Sequence, residues 1–82
     1  MATGTIRYWA AAKEAAGVAE EPFEAVNLAD LVNKVTKNPD MGRVLGRSSF
    51  LINGHPTGKR DPRTVELPDG AMVEVLPPFA GG

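Results

Sequence analysis

The sequence contains no cysteine. This absence excludes disulfides, metal sites with cysteine ligands, thiol nucleophiles and sulfur carried as a cysteine persulfide. The single histidine, His55, cannot build a histidine-based zinc site alone, and Glu20, Glu21 and Asp30 have no spacing that imposes a coordination geometry. The chemistry of the chain must therefore use its backbone, its carboxylates or the residues of a partner.

Long apolar runs and blocks of one charge sign are also missing. No stretch approaches the roughly 20 apolar residues of a membrane-spanning helix, and the first residues lack the pattern of a secretory signal. Nine basic and ten acidic residues give a net charge of −1. We therefore expect a cytoplasmic protein whose main partner is neither a nucleic acid nor a membrane.

The 82 residues contain both strand and helix patterns. This length is enough for one domain, which buries about 60% of the surface that the unfolded chain exposes. Such a small core leaves little volume for a large substrate pocket. Alternating apolar residues predict strands at 3–9, 20–26, 49–52, 64–67 and 72–76. Helical spacing predicts helices at 10–16, at 28–37 and over one turn at 41–45. We expect an α+β fold, with a mixed sheet of four to five strands packed on one main helix.

Glycine, proline and asparagine mark the boundaries of these elements. Gly17 is placed to end the first helix, Asn27 to cap the main helix, and Asn38-Pro39 to end it. Asn53-Gly54 predicts a tight turn, followed by a loop over 55–63. His55 in that loop is interpreted as a turn residue and not as a catalytic base, because no carboxylate is spaced to orient it.

The first and last strands are expected to lie side by side and parallel in the middle of the sheet, since one right-handed crossover through the helix permits it. Their C-terminal ends then coincide. Trp9 and Leu76 become neighbours on the face away from the main helix, where they form an exposed apolar patch.

The chain ends in a segment that predicts a presented terminus. Pro77 and Pro78 cannot donate ladder hydrogen bonds, so they end the last strand and favour an extended path. The four residues that follow can reach about 14 Å at roughly 3.5 Å each. Gly81 and Gly82 have no side chain to obstruct a narrow channel. We therefore expect a globular domain over 1–76 and an extended tail over 77–82.

Several stretches resemble the ubiquitin-like sulfur carriers, and among them the small subunit of molybdopterin synthase. The similarity spans nearly the whole chain. The stretches that carry it are Arg7-Tyr8-Trp9-Ala10, Lys13-Glu14, Gly17, Ile52-Asn53-Gly54, Asp69-Gly70-Ala71-Met72-Val73 and Leu76-Pro77-Pro78-Phe79-Ala80-Gly81-Gly82.

The resemblance implies a β-grasp fold and a function in molybdenum cofactor biosynthesis. A ubiquitin-activating-like adenylyltransferase would use ATP to adenylate Gly82, and a sulfur donor protein would convert it to a thiocarboxylate. The large subunit of molybdopterin synthase would receive the tail, and the sulfur would pass to the pyranopterin precursor. By this resemblance the chain is not catalytic alone and binds no cofactor or metal itself. The partner-binding residues expected beside Gly81 and Gly82 are Trp9, Lys13, Leu76, Pro77, Pro78, Phe79 and Ala80.

Two alternatives stay open. The carrier can serve another pathway, such as thiamin, cysteine or tRNA thiolation, or its terminus can be conjugated to lysines as a ubiquitin-like modifier. Alternatively, the chain is a β-grasp interaction domain that binds a partner through the face containing Trp9 and carries no sulfur. Removal of Gly81 and Gly82 separates the second alternative from the carrier hypothesis, since binding alone should survive it.

Overall fold

The computed structural model of the chain describes residues 1–77. Within them, five strands form one mixed sheet in the order β2-β1-β5-β3-β4. The strands are β1 (Ala2–Tyr8), β2 (Glu20–Ala25), β3 (Ser49–Ile52), β4 (His55–Pro56) and β5 (Ala71–Leu76). The helices are α1 (Ala10–Ala16), α2 (Leu28–Val35) and α3 (Pro39–Leu45), and a 3₁₀ helix covers Pro62–Thr64. This architecture confirms the α+β prediction of a mixed sheet on a main helix.

The first and last strands form the central parallel pair, as predicted. Tyr8 lies opposite Val75 at the C-terminal end of the pair, and Gly4 lies opposite Ala71 at its other end. The remaining strand pairs are antiparallel. Because β1 and β5 run in the same direction, the residues that follow each strand leave the sheet at the same edge.

Alternation along the strands places the core on one face of the sheet. Ile6 and Tyr8 of β1 and Val73 and Val75 of β5 are almost fully buried. The core also contains Leu28 and Leu31 of α2, as the predicted apolar stripe requires. Further buried members are Ala2, Ala12, Phe23, Ala25, Met41, Leu45, Val65, Leu67 and Ala71. None of the helices in this part of the chain has the length and apolar composition needed to cross a membrane.

The predicted helix caps at Gly17 and Asn27 are confirmed. Gly17 ends α1 with a left-handed φ of 78°, and the Asn27 side chain accepts a hydrogen bond from the Asp30 N–H at 2.8 Å. Asn38-Pro39 has a different role from the predicted one. α2 already ends at Val35, and Asn38 caps α3 with Pro39 in its first turn. Proline fits there because the first N–H groups of a helix have no partner inside it.

Two predictions between residues 55 and 67 are wrong. The predicted loop over 55–63 contains the two-residue strand β4, which pairs with β3 directly after the Asn53-Gly54 turn. The predicted strand over 64–67 is replaced by the end of the 3₁₀ helix and by one isolated bridge between Asn27 and Glu66. Val65 and Leu67 are buried, but α2 begins immediately after Asn27, so within residues 1–77 no partner strand continues beside them.

Candidate functional site

The site lies where β1 and β5 leave the sheet together. The Trp9 N–H donates to the carbonyl of Val75 at 3.1 Å, which continues the parallel pair by one further hydrogen bond. Trp9 follows directly on β1, and its side chain is 43% exposed although its neighbour Tyr8 is buried. Leu76 ends β5, and Pro77 is the last residue that the structure describes. The root of the tail therefore lies beside a large exposed aromatic ring.

The indole ring of Trp9 is held by two charged side chains of the sheet. Its Nε1–H donates to Oε2 of Glu74 at 3.0 Å. The guanidinium carbon of Arg7 lies 5.9 Å from the ring centroid, a cation–π distance. Arg7 is in turn paired with Glu20 on β2 at 3.1 Å. These contacts restrict the indole ring, so it would lose less conformational entropy on contact with another molecule than a free side chain would.

The turn from β1 into α1 stores backbone strain next to Trp9. Ala10, the first residue of α1, has a φ of 50°, in the left-handed region that residues with a Cβ rarely adopt. Such a conformation costs about 1–2 kcal/mol. The amides of Ala12 and Lys13 both donate to the Trp9 carbonyl, at 3.1 and 3.4 Å, and the Trp9 amide donates to Val75. Both backbone groups of Trp9 are therefore hydrogen-bonded at the turn from β1 into α1. Strain of this kind is typical of functional sites.

A cleft of about 670 Å³ opens beside this corner. It lies between the start of α1, the end of α3 and the end of β5. Most of its lining is apolar or small, and its charged members are two arginines. The lining residues are Trp9, Ala10, Ala11, Ala12, Arg43, Val44, Arg47, Ser48, Leu76 and Pro77. This surface is called the tail-root cleft below.

A second surface, the open face of the sheet, meets the tail-root cleft at Trp9 and Leu76. The register places Leu51 opposite Glu74, and Ser49 opposite Leu76, on the side away from the core. Met72 alternates with the buried Ala71 and Val73, so it shares that side. The open face therefore contains three partly exposed apolar residues, Leu51, Met72 and Leu76, beside the anchored indole.

The structure brings together three of the predicted site residues, and it separates a fourth from them. Trp9, Leu76 and Pro77 line the tail-root cleft. Lys13 is exposed in the last turn of α1 and does not line it. The remaining predicted site residues lie outside the described part of the chain: Pro78, Phe79, Ala80, Gly81 and Gly82.

Sequence reasoning missed Arg43, Arg47, Leu51 and Met72. Arg43 was inside the predicted helical turn over 41–45, but Arg47 follows Gly46 beyond the end of that helix, so helical spacing did not place the two together. Leu51 and Met72 were hidden in apolar strands, where alternation against the partly buried Phe50 and the buried Val73 would have assigned them to the other face. Glu74 was correctly placed on the outer face, but its hydrogen bond to Trp9 was not foreseen.

Other titratable groups in the described residues do not form a catalytic cluster. No set of histidine and acidic side chains within residues 1–77 is arranged to hold a metal ion. Tyr8 is buried and donates to Glu21 Oε2 at 2.6 Å. Burial, and then the Glu21 carboxylate, raise the pKa of the Tyr8 hydroxyl far above its usual value, so that hydroxyl stays protonated and acts as a structural group.

Comparison with known proteins gives one family and a consistent fold. The family model described as the ThiS family matches residues 6–82. The comparison with curated proteins gave no match. Among solved structures, small archaeal modifier protein 1 from Methanosarcina acetivorans is 27% identical, with a TM-score of 0.84 over 100% of this chain and 98% of that one.

Two further structures have names that refer to molybdopterin. A candidate molybdopterin converting factor subunit 1 from Pyrococcus furiosus is 24% identical, with a TM-score of 0.78 over 96% of this chain and 100% of that one. The complex of subunits 1 and 2 of the molybdopterin-converting factor from Helicobacter pylori contains a chain 24% identical, with a TM-score of 0.73 over 98% of this chain and 99% of that one. These neighbours confirm the predicted ubiquitin-like β-grasp fold.

Proposed function

Because the chain belongs to the ThiS family, we propose that it is a sulfur carrier whose working group is the carboxylate of Gly82. Its family and fold make it a ubiquitin-like protein of the type that includes sulfur carriers and protein modifiers. Within that type, we assign it to molybdenum cofactor biosynthesis in the cytoplasm, as the small subunit of molybdopterin synthase.

The chemistry of the carboxylate explains why an activating partner is needed. An α-carboxyl group has a pKa of about 3.5, so it is ionised at neutral pH and is a poor electrophile. Attack of its oxygen on the α-phosphate of ATP, with loss of pyrophosphate, gives an acyl adenylate. Hydrosulfide delivered by the donor protein then attacks the carbonyl carbon, the bond from that carbon to the AMP oxygen breaks, and AMP leaves; loss of the S–H proton gives the thiocarboxylate. The chain has no cysteine to carry sulfur elsewhere.

The observation that carries this proposal is the position of the tail root. Leu76 and Pro77 leave the sheet at the edge where Trp9 is exposed, and all three line one cleft. A partner that binds the indole is therefore positioned to receive the residues after Pro77. Aromatic side chains held at the centre of an exposed patch are frequent hot spots of protein interfaces. The proposed acceptor of sulfur is the pyranopterin precursor, bound by the large subunit of molybdopterin synthase.

A second candidate function is conjugation of Gly82 to lysines of other proteins. The modifier from Methanosarcina acetivorans, at 27% identity, favours this candidate. For the synthase role, the corresponding similar structure is the complex of subunits 1 and 2 from Helicobacter pylori, which contains a chain 24% identical to this one. Both candidates require an activated Gly82, and they differ in the nucleophile that takes the acyl group.

The experiment that tests the carrier function combines the full chain with ATP, a candidate adenylyltransferase and a sulfur donor, followed by intact mass measurement. We expect a mass increase equal to the replacement of one oxygen by one sulfur, located at Gly82 by fragmentation. An omission of ATP should prevent it. An unchanged mass with every candidate adenylyltransferase of the same organism would contradict the proposal.

Protein recovered from cells separates the two candidates. A carrier is found as the thiocarboxylate of the intact chain, whereas a modifier is found as heavier adducts linked through lysine side chains. Reconstitution with the large subunit and the pterin precursor then tests the acceptor. Formation of the dithiolene product supports the synthase role. Thiolation of a different acceptor, with no pterin product, would assign the carrier to another pathway.

A further inference from the structure

The floor of the tail-root cleft can accommodate a side chain from outside. Trp9, Leu76 and Pro77 line it, and the three alanines that begin α1 complete the apolar surface. Alanine side chains are short, so a volume of about 670 Å³ stays open between α1 and the end of α3. An apolar surface of this kind beside polar residues marks a protein interaction site.

Two arginines form the polar wall of the cleft. Arg43 and Arg47 are four residues apart at the end of α3, and Gly46 between them keeps right-handed helical angles, with φ −63° and ψ −18°. Arg43 lies in α3 and Arg47 follows two residues after its last residue, Leu45, and both line the cleft. Ser48 also lines the wall, but its hydroxyl already donates to the Val44 carbonyl at 2.7 Å. The guanidinium groups are the polar groups that an external ligand would meet.

The charges around these arginines favour an anionic ligand. Arg43 pairs with Asp40, but both side chains are largely exposed, so that pair contributes little and exchanges readily. Arg47 makes no salt bridge to any residue within 1–77. The two guanidinium groups carry like charges and line one cleft, so they repel each other. Guanidinium groups bind carboxylates through two parallel hydrogen bonds, which would relieve that repulsion.

We propose that the tail-root cleft binds an acidic segment of the adenylyltransferase, with an apolar side chain on the floor and carboxylates on Arg43 and Arg47. The inference rests on the proposed function and names the chemistry of its activating partner. The activating complex must form and separate for every sulfur delivered. Charge pairs at the rim of an interface raise the association rate more than they raise the affinity, which suits such a short-lived complex.

The test is the kinetics of Gly82 adenylation with the full chain and the adenylyltransferase of the same organism. The charge reversal Arg43→Glu/Arg47→Glu should raise the KM for the chain on the order of tenfold at low salt and leave kcat unchanged. A higher salt concentration should reduce the difference in KM between this variant and the original chain, because salt screens exposed charges. Arg43→Lys/Arg47→Lys keeps both charges and should recover most of the affinity.

The control is Lys37→Glu/Lys59→Glu, which makes the same change in net charge at exposed residues outside the cleft. Its KM should stay within about twofold of the original chain. Thermal unfolding of each variant shows whether the fold is intact. An equal rise in KM for both reversals, an unchanged KM for the cleft reversal, or a loss of affinity confined to the sulfur acceptor would overturn the proposal.

The same assay separates failure of this inference from failure of the proposed function. If the original chain is adenylated and the charge reversal in the cleft leaves the KM unchanged, the proposed binding of an acidic segment is wrong and the carrier function stands. If the original chain is not adenylated by the enzyme, both proposals fall together.

Discussion

At one end of the β1 and β5 pair the polar groups are satisfied within the chain, whereas at the other end the chain exposes an indole ring and two arginines. At the closed end, the Thr3 N–H donates to Asp69 Oδ1 at 3.1 Å, and the Gly70 N–H donates to the Thr3 carbonyl at 2.6 Å. The open end has Trp9, the tail-root cleft and the root of the tail. The closed end fixes the pair, and under the proposed function the open end is the part that contacts other proteins.

Further hydrogen bonds hold the elements around the closed end in place. The closed end is further fixed by Asp30, whose carboxylate accepts the Val26 N–H at 3.0 Å, and by the Asn27 cap of α2. Asn53 binds β5 from the side, since its Oδ1 accepts the Met72 N–H at 2.9 Å. The bonds from Thr3 to Asp69 and from Gly70 to Thr3 join β1 to the residues just before β5, so they help to fix the register of the central pair and hence where Leu76 and Trp9 emerge.

The largest expected effect on stability comes from Gly4→Ala, in the middle of β1. A Cβ at Gly4 would overlap with the Ala71 carbonyl oxygen and lie 2.8 Å from the Phe23 ring. Overpacking of this kind costs typically about 1–3 kcal/mol, and contact with backbone places it at the upper end. Chemical denaturation measures the loss of the free energy of unfolding.

Gly42→Ala is the matched control for Gly4→Ala. No heavy atom lies within 4 Å of a Cβ at Gly42, which is inside α3. Alanine should stabilise that helix by up to about 1 kcal/mol. Equal stability of the two variants would show that the central pair is not the rigid element on which the comparison depends.

Trp9→Ala should show the difference between the two ends most clearly, because it should weaken partner binding more than it lowers the stability of the fold. Loss of a central aromatic anchor costs about 2 kcal/mol or more of binding free energy, which is roughly thirtyfold in the dissociation constant. Stability should fall by less than that, because the ring is partly exposed. Isothermal titration with the adenylyltransferase and with the large subunit measures both affinities.

Val26→Ala is the control for Trp9→Ala, since Val26 is 54% exposed near the closed end. It should leave both affinities unchanged. If Val26→Ala weakened binding as much as Trp9→Ala, the assignment of the two ends would be wrong.

Glu74→Ala should have a smaller effect on the same interface, because it releases the indole without removing it. We expect a loss of affinity of a few fold, consistent with a hydrogen bond to a charged group that is partly exposed. Glu74→Gln retains an acceptor oxygen and should recover most of it. Trp9 is the single tryptophan of the chain, so fluorescence anisotropy reports its mobility directly.

The effect of Glu74→Ala on binding should vanish when Trp9 is already alanine, since Glu74 acts through the ring. Independent, additive losses in the double variant would mean that Glu74 contacts the partner itself.

The smallest expected effect is the pH dependence of the closed end. The Val26 N–H and then the Lys34 ammonium group lower the pKa of Asp30 below its usual value, whereas its partial burial opposes them. A carboxyl group with a lowered pKa in the folded state stabilises the fold above its unfolded pKa of about 3.9 and loses that contribution as the pH falls below it.

Asp30→Asn tests this pH dependence. The variant should therefore be slightly less stable than the original chain at neutral pH, and the difference should shrink in acid. Thermal unfolding from pH 7 to about pH 2 measures it. A difference in stability that grew on acidification would contradict this sign.

The central fold was predictable because its signals are local and repeated. Alternation of Ile6 and Tyr8 with Arg7, and the spacing of Leu28, Leu31 and Val35, each specify one buried face. The right-handed crossover rule then made the parallel central pair the favoured arrangement. The predicted strand boundaries differed from the observed ones by single residues at Ala2, Trp9, Val26 and Ala71, whereas the main helix ends two residues earlier than predicted and α3 begins two residues earlier.

The wrong predictions arose where one local sequence pattern is compatible with two different structures. Val65 and Leu67 alternate as a strand does, yet their burial comes from contact with the start of α2, which propensity alone does not show. Asn38-Pro39 ends helices and also begins them. The tail-root cleft could not be predicted, because it depends on how α3 sits against α1, a packing that neither helix specifies by itself.

The most direct test of the central claim is sulfur transfer by the chain with one alanine appended after Gly82. The folded domain, Trp9 and the tail-root cleft are all retained in that variant, and only the carboxylate is displaced. The proposed function predicts that the variant still binds its partners but yields no thiocarboxylate at Gly82 and no sulfurated pterin. Pterin sulfuration at the rate of the original chain, with the added alanine still present by intact mass, would contradict it.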